Sequence, residues 1–225
     1  MDISHTIEEG VSNVTLFAPN GHRVECLMTQ YEPYVYDTMC DFLPDGAHAA
    51  EIGSFRGGSA CILADGMARR GKRLDLAAHD VFEPYCVGSE TVDVEREFDA
   101  SIRAFDVRVN KVKGDSKVTH SIHADASLDY VFIDGDHSYE GATADIANFT
   151  KKLRPDGWLV MQDSIREVAK AIEDAGLPLH MAMINPPFGH YVTVCHADHS
   201  RLVEFLERLE AKMEQVIASQ GQKSS

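Results

Sequence analysis

The chain has 225 residues, of which 44% are hydrophobic and 25% charged, values that suit one α/β domain with a sizeable core. No apolar run approaches the ~20 residues that a spanning helix needs, and the first ten residues, MDISHTIEEG, have neither the basic nor the apolar region of a secretion signal. Twenty-one Lys and Arg stand against 36 Asp and Glu, a formal net charge of -15. Such a surface repels phosphate backbones and anionic lipids. Its one basic run, Arg69, Arg70, Lys72 and Arg73, falls between a helix and a strand, so neither nucleic acid nor membrane is expected as a partner. The five cysteines are odd in number and widely spaced, with no CxxC pair or zinc spacing. They read as free thiols in a reducing, cytoplasmic compartment.

In chain order, residues 14–28 predict two short strands around the turn Pro19, Asn20, Gly21. Residues 30–43 predict an aromatic-rich helix, stopped by Pro44. From Ala47 on, short apolar runs alternate with helical stretches: AAEIG, helix 58–70, RLDLAA, helix 90–105, KVKGD, LDYVFID, helix 139–153, WLVMQD, helix 165–175, LHMAMI and HYVTVCH. Near-continuous apolar strands alternating with helices predict a parallel sheet covered on both faces. The last two runs are joined by Asn185, Pro186, Pro187, Phe188 and Gly189, too short a link for a crossover, so they must pair antiparallel. The expected architecture is α/β and Rossmann-like: seven strands, six parallel and one late antiparallel, with helices on both faces. Residues 1–45 form an extension on the substrate side, 46–198 the core, and 199–225 a terminal helix with a disordered tail from Ser219. That helix carries Leu202, Phe205, Leu206, Leu209, Met213 and Val216 on one stripe, which either packs on the sheet or joins two copies in a homodimer.

The segment Glu51, Ile52, Gly53, Ser54, Phe55, Arg56, Gly57, Gly58, Ser59 follows the first core strand and opens its helix. Ligands of such sheets bind at the carboxyl ends of the strands. A dinucleotide would need G-x-G-x-x-G for its pyrophosphate. This loop lacks the second of those glycines, and Glu51 is a poor neighbour for phosphate. S-adenosylmethionine carries an α-ammonium that suits Glu51 and a carboxylate that suits the amides of Gly57 to Ser59 and the Ser59 hydroxyl. Asp80, at the end of the second core strand, can take both ribose hydroxyls or simply cap a loop. Asp115 and Ser116, after the next strand, would flank adenine, with Ser116 as an alternative helix cap.

Two further strand ends carry acids, Asp134 and Asp163. They face one crevice, where like charges repel unless a cation or proton lies between them. Magnesium prefers oxygen ligands, and one or two carboxylates suffice for it. His137 titrates near neutrality and can accept a hydroxyl proton beside them, or it is a loop bystander, with Asp136 capping the next helix. His190 follows the late turn and either touches substrate or is a loop histidine. G-x-S-x-G is absent, which leaves covalent hydrolase chemistry without support.

The AEIGSFRGGSA loop, VFIDGDHSYEGATADI and LRPDGWLVMQDS together resemble a class I S-adenosylmethionine-dependent methyltransferase over residues 47–195. The last pair is similar to the small O-methyltransferases of sugars and natural products and, more distantly, to catechol O-methyltransferase. The resemblance implies that Glu51, Gly53 and Ser59 hold the methionine end, with Ser54, Gly57 and Asp134 along the same cofactor path. It implies Asp80 for ribose and Asp115 with Ser116 for adenine. In metal-dependent members the acids at Asp134 and Asp163 are magnesium ligands; Gln162 and Ser164 stand where a third ligand is often found. His137 occupies the place of the catalytic lysine of catechol methyltransferases. The expected activity is transfer of a methyl group to a hydroxyl of a small molecule, metal-assisted, with His137 as base and Asp134 beside it. Two alternatives stay open: a non-catalytic S-adenosylmethionine-binding module and a nucleotide-dependent Rossmann oxidoreductase.

Overall fold

The computed structural model describes residues 2–8, 11–29, 31–87, 89–184 and 191–223. The chain begins with three strands, β1 (Asp2–Glu8), β2 (Val11–Phe17) and β3 (Arg23–Cys26), joined as an antiparallel sheet. Two strands were expected here; β1 lies in a polar stretch whose pairing with β2 no apolar alternation announces. Helix α1 (Glu32–Phe42) follows, and the core then runs β4 (Ala47–Ile52), α2 (Gly58–Arg69), β5 (Leu74–Asp80), β6 (Tyr85–Val87), β7 (Glu90–Val92), α3 (Val94–Phe105) and β8 (Asn110–Lys113). The short hairpin β6–β7 takes the first residues of the stretch expected as helix 90–105. Asp93 caps α3 at its true start by accepting from the Arg96 amide.

The second half comprises α4 (Ser116–Thr119), β9 (Leu128–Ile133), α5 (Tyr139–Phe149), β10 (Leu153–Met161), α6 (Arg166–Ala175), β11 (His180–Ile184), β12 (Val192–His196) and α7 (His199–Lys223). Two expected caps are corrected. Asp115, not Ser116, caps α4. Ser138, not Asp136, caps α5, while Asp136 accepts from the amide and hydroxyl of Ser138. Helix α7 passes through Ser219, where a disordered tail was expected, because nothing in that segment forces a stop as proline would.

The central sheet has seven strands in the order β11-β12-β10-β9-β4-β5-β8. β12 is antiparallel to both β10 and β11, and the remaining neighbours are parallel. Six strands therefore run one way and one the other, as expected. The Pro186 and Pro187 turn and His190 lie outside the described residues. Alternate side chains feed two cores. Tyr130, Phe132, Trp158 and Val160 join the core under α1, α2 and α7, and Val131, Ile133, Leu159 and Met161 join the core under α5 and α6. Leu202, Phe205 and Leu209 of α7 are buried in the first of these cores, with Leu206 and Met213 packed against it, so the sheet takes most of the stripe. No described helix is long and apolar enough to cross a membrane.

The basic run is consumed by packing. Arg69 and Arg70 pair with Asp37, Arg70 also with Asp41, and Arg73 with Asp45. Lys72 donates to the carbonyls of Cys40, Asp41 and Leu43 at the end of α1, a good use of a cation at a helix C-terminus. The five cysteines are free, and four of them are buried.

Candidate cofactor and active site

Parallel pairing lines up the carboxyl ends of β5, β4, β9 and β10, with Ile52 beside Ile133 and Met161 beside Ile133. The residues at or just past those ends, Gly53, Asp80, Asp134 and Asp163, are thereby gathered at one edge. The turn after β4 is tight. Gly53 has φ +83°, and a Cβ there would stand 1.9 Å from the Asp134 carbonyl oxygen, so only glycine lets the two strand ends lie this close. Gly57, at φ +81°, forms the left-handed N-cap of α2 without a side-chain cap. The first amides of that helix are left to the cleft, an arrangement suited to an anionic group.

Asp80 braces this loop. Its Oδ2 accepts from the Phe55 amide at 2.8 Å and its Oδ1 from the Phe82 amide at 2.7 Å, which holds Phe55 in a strained conformation at φ 46°. Each oxygen keeps a second lone pair, so bracing and ribose binding are compatible. Asp115 spends one oxygen on the Lys117 amide. Ser116 donates to the buried Asp145 at 2.6 Å, so its hydroxyl proton is committed away from an incoming ring.

Glu51 is 3% exposed. Its Oε1 accepts a short hydrogen bond from Ser59, and its Oε2 is buried without a partner. Burial pushes its carboxyl up to about 7, against the hydroxyls of Ser59 and Ser54 and with the charges of Asp134 and Asp80 adding to the rise. Ser54, also buried, neighbours it in the loop. An unsatisfied buried carboxylate oxygen next to an uncapped helix start is the donor and acceptor set of an amino-acid zwitterion. The pocket therefore fits the methionine end of S-adenosylmethionine.

His137 lies between the two acids. Its Nε2 donates to Asp134 Oδ1 at 3.2 Å and its Nδ1 is 3.5 Å from Asp163 Oδ2. The hydrogen bond to Asp134 raises its pKa above 6.5; burial opposes the rise, while the charges of Asp134, Asp163 and Asp136 add to it. The carboxylate pair that the sequence placed around a cation is thus bridged by an imidazole. These three residues are the one group of possible metal ligands among the described residues, with donor atoms within 4.8 Å of one another. Gln162 and Ser164, considered as a third ligand, face elsewhere. Gln162 Oε1 accepts from the Tyr36 hydroxyl at 2.6 Å, and Ser164 donates to the Met161 carbonyl.

Two features had no usable sequence signal. Tyr36 ties α1 to the strand end bearing Asp163, yet a tyrosine among several in a helix has no mark of that role. His79, one residue before Asp80, is buried; its Nδ1 meets Thr119 Oγ1 at 2.9 Å and its Nε2 meets His123 Nε2 at 2.8 Å. The partners are 40 and 44 residues away, beyond the reach of any spacing rule.

Residues 50–164, half of the chain, match the family model described as a methyltransferase domain. Three solved structures share the fold. An rRNA methylase from Streptococcus thermophilus aligns at 10% identity and TM-score 0.58, over 76% of this chain and 98% of its own. Cofactor-bound Rv0187 from MTB aligns at 17% and 0.61, over 76% and 82%. The O-methyltransferase NovP aligns at 19% and 0.57, over 74% and 80%. No functionally curated protein matches the chain. The fold and the glycine loop define a class I S-adenosylmethionine-dependent methyltransferase. The chain belongs to the methyltransferase-domain family.

Proposed function

We propose that the protein transfers the methyl group of S-adenosylmethionine to a hydroxyl of a small molecule, a sugar or natural-product intermediate, with His137 as general base. The carrying observation is the His137 imidazole held between Asp134 and Asp163 at the strand ends beside the glycine loop. Neutral His137 donates from Nε2 to Asp134, which leaves Nδ1 to take the hydroxyl proton. The imidazolium so formed lies between two carboxylates, the logic by which an acid orients and stabilises a catalytic histidine. The acceptor oxygen attacks the sulfonium methyl carbon in line, the C–S bond breaks with its electron pair going to sulfur, and S-adenosylhomocysteine leaves. Because the sulfonium charge is neutralised on the way, alignment matters most. Glu51, Gly53, Ser54, Gly57 and Ser59 hold the methionine end, Asp80 the ribose, Asp115 with Ser116 the adenine, and Asp134 the edge nearest the acceptor. Residues 1–45 form a substrate-side extension of the core 46–198.

A small acceptor is favoured over nucleic acid by the net charge of -15 and by the pairing of the basic run with α1. A second, metal-assisted reading is favoured by the donor spacing of the trio. Asp134, His137 and Asp163 would hold the ion, and it would lower the pKa of a bound hydroxyl. One imidazole with two carboxylates suits manganese, iron or zinc better than magnesium, which takes oxygen.

The test is transfer of labelled methyl from S-adenosylmethionine to a panel of hydroxylated sugars and phenols, and to ribosomal RNA, with and without chelator. Labelling of a small hydroxylated acceptor that survives chelation and is lost in His137→Ala supports the base reading. Loss on chelation moves the protein to the metal-assisted reading. Labelling of RNA alone overturns the small-molecule assignment.

A further inference from the structure

Glu51 occupies an unusual position for a carboxyl group. It borders a narrow buried pocket whose other walls include Leu63, Leu76, Tyr130 and Phe132. The groups facing it are Tyr36 from α1, Cys26 from β3, Cys61 from α2 and Tyr130 from β9. Asp80 and Asp134 face it from the ends of β5 and β9. All of these are neutral or negative. The Ser59 hydroxyl donates to one oxygen, the other is buried without a full hydrogen bond, and the nearby Ser54 hydroxyl eases ionisation only in part. A carboxylate so placed lacks both water and a counter-charge, which disfavours ionisation. An ammonium group brought to the free oxygen reverses that balance.

We propose that cofactor binding is coupled to loss of one proton from Glu51, whose carboxyl keeps its proton in the free protein below neutral pH and ionises as the α-ammonium of S-adenosylmethionine arrives. The inference rests on the cofactor reading above and adds a regulation of that site. The carboxyl O–H bond breaks, the proton passes to solvent, and the carboxylate pairs with the ammonium; no electrons change hands. Burial holds the free carboxyl up to about 7. Affinity therefore rises with pH toward neutrality, with about a tenfold loss for each pH unit below, and levels off there until the ligand's own ammonium begins to deprotonate.

The experiment is calorimetric titration with S-adenosylhomocysteine, which carries the same α-ammonium, in phosphate and in bis-Tris, whose ionisation enthalpies differ. Binding heats that differ between the buffers, with close to one proton released at about pH 6 and only a small fraction at about pH 7.5, support the proposal. Glu51→Gln is expected to bind more weakly, with heats independent of buffer and affinity flat with pH. Should that variant fail to fold, Ser59→Ala gives a second test: without its hydrogen bond the carboxyl ionises less readily, and proton release persists to higher pH. Buffer-independent heats in the wild-type protein, or unchanged proton release in Glu51→Gln, overturn the coupling alone. Absence of binding in every buffer overturns the cofactor reading and the coupling with it.

Discussion

His137 shows how a single side chain takes its character from two neighbours. With the hydrogen bond to Asp134 as the largest cause, its pKa is raised above 6.5. A base must be neutral to act, so the acid limb of the rate profile lies above 6.5 and turnover climbs with pH through it. His137→Ala is expected to lower turnover by about 10²- to 10⁴-fold, the usual contribution of a positioned base. Asp134→Asn removes the hydrogen bond and the largest charge, so turnover falls and the residual acid limb moves to lower pH. Calorimetry with S-adenosylhomocysteine should show affinity largely kept in His137→Ala. A limb left in place by Asp134→Asn would mean that another group titrates in the rate.

At the scale of elements, helix α1 links the N-terminal sheet to the active edge. Tyr36 reaches Gln162 next to Asp163, and Asp37 binds Arg69 and Arg70 at the end of α2 and Lys212 of α7. Although partial burial opposes it, the hydrogen bonds from Arg70 and Lys212 hold the Asp37 carboxyl well below its usual range. Tyr36→Phe deletes one buried hydroxyl and leaves the Gln162 oxygen without its partner. Urea unfolding should show a loss of about 1–3 kcal/mol with an unchanged denaturant slope. A neutral result would mean that water replaces the hydroxyl and that α1 is not clamped by this bond.

For the whole molecule, buried His79 and buried Glu51 set opposing pH dependences of stability over the same range. His79 is buried against His123, with His120 near, and burial holds its pKa down to about 4 from 6.5. The unfolded chain therefore binds a proton between those values that the folded chain refuses. This contribution to stability is complete above about 6.5 and is lost as pH falls toward 4. Burial likewise lowers His123. Thermal melts from neutral pH downward should show His79→Gln more stable relative to the wild-type protein at pH 5 than at pH 7, since the variant lacks the His79 loss while Glu51 acts equally in both. Parallel curves would assign the acid sensitivity to other groups.

Much of the architecture is legible in one dimension because its rules are local. Continuous apolar strands between helices demand a parallel sheet with both faces covered, and a five-residue link after LHMAMI cannot form a crossover, so the last strand must reverse. The same reasoning brings Glu51, Asp80, Asp134 and Asp163 to one edge, since each lies at or just past the carboxyl end of a strand of that sheet. Cap assignments at Asp115 and Ser138 escape such reasoning, because adjacent polar residues compete for the same amides and only backbone geometry selects one. The antiparallel partner β1 escapes it too, for a strand without alternation is specified by its neighbour. Only the folded chain puts the His137 ring between two carboxylates, turns Gln162 toward Tyr36 and leaves one Glu51 oxygen without a partner. Those outcomes depend on rotamers and burial set by residues far away in sequence. Sequence patterning determined where the chemistry gathers, and tertiary packing decided which protons those groups hold.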